Sequence, residues 1–176
     1  YKELEKGTLR LPIYRSLYLD RLLENLKNVN VNKDEQYKKI IKDIDIDELN
    51  DEIGIPKSLN ANLRLYQKIG FKWLKNLDEY NLGGILADDM GLGKTVQLLA
   101  LILDYKENNK DTDPSIVVSP SSLTLNWQSE ISKFASSLKV LVIHGNVEER
   151  ESQIDQINNY DVIITSYDLL KRDIDL

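Results

Sequence analysis

The stretch GILADDMGLGKT, Gly84 to Thr95, decides how this 176-residue chain is read. Its first four residues, Gly84–Ala87, form a short apolar run that reads as a strand, and a glycine-containing loop follows. Lys94 then opens a run to Leu103 that is apolar on nearly every side, the pattern of a buried helix. Strand, loop, Lys-Thr and helix together are the context that a phosphate-binding loop requires. Gly91 and Gly93 let successive backbone N–H groups turn toward an anion, and the helix start adds the positive end of its dipole. In such a loop Lys94 reaches the β and γ phosphates and the Thr95 hydroxyl ligates Mg²⁺, so ATP or GTP is the natural ligand. The strict pattern asks for glycine five residues before Gly93, where this chain has Asp88. Asp88 and Asp89 receive no catalytic role, because carboxylates beside a triphosphate repel it unless they are turned away or bridged by metal.

Outward from the loop, helical and strand patterns alternate. Tyr66, Ile69, Gly70, Trp73 and Leu77 share one helix face, and Leu123, Trp127, Ile131 and Phe134 mark another. Ser115–Ser119 (SIVVS), Lys139–Ile143 (KVLVI) and Asp161–Thr165 (DVIIT) read as strands, with Val147–Ile157 as a helix between the last two. Continuous β-branched strands between amphipathic helices indicate a parallel sheet covered on both faces, so the fold class is doubly wound α/β. Before Leu63 the chain is different. Leu19, Leu22, Leu23 and Leu26 have the spacing of one helix face within Leu11–Leu26, Asn28–Lys33 reads as a loop, and acidic helix-like sequence runs to Ile53. Gly54 and Pro56 punctuate the chain, which divides it into a mainly helical accessory segment, residues 1–58, and a main domain, residues 59–176.

Composition limits the function. With 23 basic and 29 acidic residues, net charge −6, the chain cannot coat nucleic acid indiscriminately, so any DNA contact must be local. Cysteine is absent and His144 is the sole histidine, which excludes disulfides, Cys/His zinc sites and cysteine nucleophiles. His144 follows a strand and precedes Gly145, the setting of a loop histidine rather than a catalytic base. No apolar run approaches the roughly 20 residues of a membrane span. Asp43, Asp45 and Asp47 imitate a calcium loop, but Glu48 and Gly54 stand where Gly and Glu are needed. Trp73 and Trp127 lie on apolar helix faces and read as core, whereas Lys38, Lys39, Lys171 and Arg172 read as solvated.

LADDMGLGKT (Leu86–Thr95) resembles the first helicase motif of the Swi/Snf-type ATPases, the DNA translocases of helicase superfamily two, and the aspartate at Asp88 is that family's own spelling. LRLYQKIGFKWL (Leu63–Leu74) resembles the family's Q-motif region, IVVSPSSLTLNWQSEISKF (Ile116–Phe134) its motif Ia, and YDVIITSYDLLKRD (Tyr160–Asp173) its motif Ib. PIYRSLYLDRLLEN (Pro12–Asn25) is similar to what precedes the core in bacterial members.

The resemblance implies a RecA-like P-loop lobe, present as an incomplete first lobe after the accessory segment. It implies ATP and Mg²⁺ as cofactors, with Gln67 on adenine, Gly91, Leu92, Gly93, Lys94 and Thr95 on the phosphates, Lys94 catalytic and Thr95 on the metal. It further implies double-stranded DNA as partner, held through Ser119, Ser121, Ser122, Thr165 and Ser166, whose hydroxyls can take backbone phosphates without reading sequence. DNA-bound proteins or RNA polymerase are further partners in this reading, and the place of work is the cytoplasm, at the bacterial nucleoid. The family's Asp-Glu motif and second lobe do not occur within these residues, so the chain alone is expected to be inactive while its parent hydrolyses ATP to move on duplex DNA. A non-hydrolysing ATP-binding regulatory module is the alternative. A small-molecule kinase would need an Arg-rich lid, and none is visible in the sequence.

Overall fold

The computed structural model describes residues 13–24, 32–44, 54–109 and 112–174. Leu11, Pro12, Leu26, Asp45, Asp47, Glu48 and Ile53 therefore lie outside the described residues. The elements run α1 (Ser16–Glu24, entered through a 3₁₀ turn at Ile13–Arg15), α2 (Glu35–Ile44), α3 (Leu65–Glu79), α4 (Lys94–Asn108), β1 (Ser115–Ser119), α5 (Thr124–Phe134), β2 (Val140–Val142), α6 (Val147–Ile154), β3 (Val162–Ser166) and α7 (Tyr167–Asp173). They divide into two compact units, residues 1–52 with 72–87, and residues 53–71 with 88–176.

The second unit is the α/β body. Its sheet is fully parallel, in the order β1-β3-β2, with Ser119 opposite Ser166 and Val142 opposite Ile164. Every residue of the central strand β3 is buried, as its unbroken VIITS run requires of a strand covered on both faces. Val117, Val162 and Ile164 pack with Leu99, Ala100 and Leu103 of α4 and Ile131 of α5. On the other face Ile163 and Thr165 join Ile154, Ile157 and Leu170 around a cavity of about 390 Å³. Helices thus cover both faces of a parallel sheet.

Local chemistry sets the element ends. Asn146 accepts from the Glu149 N–H at 3.0 Å while the Glu149 carboxylate accepts from the Asn146 N–H at 2.8 Å, a reciprocal cap that starts α6. The expected helix through Ile157 stops at Ile154, and Ile157–Asn159 form a 3₁₀ turn instead. Arg150 of α6 grips Asp173 of α7 with two bonds of 2.8 and 2.7 Å and donates a third to the Gly145 carbonyl at 3.0 Å. That hydrogen bonding from Arg150 holds the Asp173 carboxyl below the usual carboxylate range.

In the first unit Ile40, Ile44 and Leu77 form a small core against which Ile13, Trp73, Tyr80 and Leu82 pack. The Tyr80 hydroxyl donates to the Asp43 carboxylate at 2.5 Å, and burial together with that bond pushes its pKa up to about 12. Gly84–Ala87, expected as a strand, is not one: it pairs with no neighbour among the described residues, and Ile85 is 86% exposed. An apolar run becomes a strand only where another strand meets its backbone groups. Among the described residues no helix is long and apolar enough to cross a membrane.

Candidate nucleotide-binding site

The loop from Asp88 to Gly93 leads into the 15-residue helix α4. Gly91 and Gly93 both adopt left-handed backbone conformations, at φ 85° and 76°, and Gly93 is the residue that caps α4. The left-handed backbone disfavours a side chain at Gly93, and a Cβ there would stand 2.5 Å from Gln67 Nε2 and push that amide aside. The first N–H groups of a helix have no partner within it, which leaves those at the start of α4 for an anion.

Lys94, half-buried, folds back over the loop and donates to the carbonyls of Asp88 at 2.6 Å and Asp89 at 2.9 Å. Its ammonium is therefore held at the loop by ligands it can exchange for phosphate oxygens. Thr95 follows, half-buried in the first turn of α4. Gln67 accepts from the Arg64 N–H at 2.9 Å and donates to the Leu92 carbonyl at 3.0 Å, and its amide nitrogen lies 3.4 Å from the Tyr66 hydroxyl. The structure thus gathers Gln67, Gly91, Leu92, Gly93, Lys94 and Thr95 in one place, and it gives Gln67 the added task of tying the start of α3 to the loop.

One contact here was not foreseen from the sequence. Gln97, wholly buried in α4, donates to the Asp88 carboxylate at 3.0 Å. The available signal was a single amide inside the apolar run VQLLALIL.

The five hydroxyl residues assigned to DNA divide into two groups. Ser121 and Ser122 are exposed, just after the carboxyl end of β1. Ser119, Thr165 and Ser166 are each only 4% exposed, which leaves their side chains little surface for a ligand, and the Ser166 hydroxyl accepts from the Leu169 N–H at 3.3 Å to cap α7. Because Ser119 and Ser166 are register partners, the loops after β1 and β3 leave the same edge of the sheet. Lys171 and Arg172 are exposed at the end of α7.

Residues 66–176 match the SNF2-related domain. The chain belongs to the SNF2-related family. Its SNF2-related domain has the fold of a solved Sulfolobus solfataricus SWI2/SNF2 ATPase core in complex with double-stranded DNA, with TM-score 0.63 and 42% identity over 71% of this chain and 25% of that one. An uncharacterized ATP-dependent helicase of Mycoplasma genitalium is 43% identical over 113 residues, 64% of this chain and 11% of that protein. The Arabidopsis thaliana TATA-binding protein-associated factor BTAF1 is 44% identical over 133 residues, 71% of this chain and 6% of that protein. This chain therefore spans a small part of the length of these relatives.

Proposed function

We propose that this SNF2-related chain is the ATP-binding part of a DNA-dependent ATPase that couples ATP hydrolysis to movement on double-stranded DNA. The observation that carries the reading is the formed loop, with left-handed Gly91 and Gly93, α4 beginning at Lys94, and the lysine ammonium on two loop carbonyls. These residues fit Mg-ATP: N–H groups without intrahelical partners at a helix start, one exchangeable cation and one hydroxyl at the place where each is needed.

In this reading Lys94 leaves the Asp88 and Asp89 carbonyls for phosphate oxygens, and the amides of Gly91, Leu92 and Gly93 hold the remaining phosphate charge. The Thr95 hydroxyl ligates Mg²⁺, and Gln67 contacts adenine while keeping Leu92 oriented. When bound, Mg²⁺ neutralises charge developing on the phosphate oxygens. Exposed Ser121 and Ser122, with the backbone at that sheet edge, take DNA phosphates, and buried Ser119, Thr165 and Ser166 hold the edge in shape behind them. The solved Sulfolobus relative, a complex with double-stranded DNA, supports this partner. Residues 1–58 act as an accessory segment, and the work is done at the nucleoid in the cytoplasm, on DNA-bound proteins or RNA polymerase.

Thermal denaturation tests the reading. At ligand roughly ten times its Kd, Mg-ATP should stabilise the fold by about 1.4 kcal/mol. Lys94→Ala should remove that gain, and duplex DNA should bind with an affinity that falls with salt and with Ser121→Ala/Ser122→Ala. An unmoved melting temperature at millimolar Mg-ATP sinks the proposal. Mg-ATP binding without any duplex affinity would mark a regulatory ATP-binding module instead.

A further inference from the structure

We propose that Gln97 is a positioning residue of the phosphate loop, which clamps the Asp88 carboxylate and so lets an aspartate occupy the position where a phosphate loop ordinarily has glycine. The inference rests on the ATP-binding reading above and adds a residue to it.

Gln97 lies one turn after Gly93, is 0% exposed, and sits among Val96, Leu99 and Ala100, all buried. Its amide nitrogen donates to Asp88 Oδ2 at 3.0 Å and lies 3.4 Å from the Gly93 carbonyl. Its Oε1 has no hydrogen-bond partner among the described residues. The amide cannot be turned the other way, because that would set its oxygen against a carboxylate. Packing alone gives no reason for an amide here: methionine has the same reach, suits an apolar helix, and would leave no orphaned oxygen. A buried polar group kept with one end unpaired therefore points to the bond at its other end.

That bond acts on the residue that breaks the strict loop pattern. Asp88 is held at two points, its carbonyl by Lys94 and its carboxylate by Gln97. The two grips differ in permanence. Lys94 must release the Asp88 carbonyl to reach a phosphate, while Gln97 can keep its hold on the Asp88 carboxylate. Fixing the carboxylate also keeps its charge from swinging toward the triphosphate, and the amide dipole partly offsets that charge. Glycine would need no such clamp, having no side chain to control.

A double-mutant cycle on the full chain tests this, read as Mg-ATP affinity by titration calorimetry beside the melting temperature without ligand. Gln97→Met should melt at or above the parent temperature yet bind Mg-ATP roughly tenfold more weakly. In an Asp88→Gly background the same Gln97→Met change should leave affinity unaltered, because the group it clamps is gone. Gln97→Asn, one methylene too short to reach Asp88, should weaken binding as Gln97→Met does, and it serves if the methionine variant does not fold. Unchanged affinity in both position-97 variants, or an equal loss with and without the Asp88→Gly change, overturns the clamp while leaving the ATP-binding reading in place. Failure of the parent chain itself to bind Mg-ATP overturns both.

Discussion

A side chain at position 93 would be strained by a left-handed backbone at φ 76°, and its Cβ, 2.5 Å from the Gln67 amide, would push that amide out of place. Gly93→Ala should therefore lower stability by roughly 1–2 kcal/mol from the backbone conformation alone, and should also abolish any Mg-ATP shift by displacing Gln67. Urea denaturation checks the first outcome, and unchanged stability would contradict the geometry. Gly91, Gly93, Lys94 and Thr95 were legible as a set because their order and spacing form a pattern before any fold is known, whereas Gln67 entered only through the family resemblance. Gln97 was not, because a lone amide in an apolar helix carries no spacing signal; its meaning appears only when Asp88 is seen 3.0 Å away.

Among the elements, α4 reads from its sequence as buried, and its Leu99 and Ala100 have no exposed surface. Leu99→Ala should cost about 2–5 kcal/mol, measured by urea denaturation, since the packed sheet beneath can close the cavity only partly. The tie between α6 and α7 depends on pH. Arg150 lowers the Asp173 carboxyl below its ordinary range, so the stabilisation is fully present above the ordinary carboxylate pKa and is lost as pH falls through the depressed one. Asp173→Asn should accordingly be less stable than the parent at neutral pH, with the gap narrowing in strong acid. A gap that stays constant with pH would show that the pair contributes through packing rather than charge. Gly84–Ala87 shows the limit of element reading, because local hydrophobicity states a preference for extended backbone but supplies no strand to pair with.

For the whole molecule, alternation of β-branched strands with amphipathic helices was enough to indicate a parallel sheet, since a strand covered on both faces reads as a continuous apolar run, as the wholly buried β3 does. The phosphate loop and the surrounding motifs were likewise legible, and the SNF2-related match over residues 66–176 agrees with them. Patterns of this kind survive in sequence because they are local: period, spacing and capping are properties of neighbours along the chain. Tertiary structure alone decided the order β1-β3-β2, which sets Ser119 beside Ser166, and with it which hydroxyls face outward. It buried Ser119, Thr165 and Ser166 while leaving Ser121 and Ser122 exposed, and it joined Gln97 to Asp88. Burial and long-range hydrogen bonds are set by elements distant in sequence closing over one another, and no single stretch of residues encodes where its neighbours in space will come from.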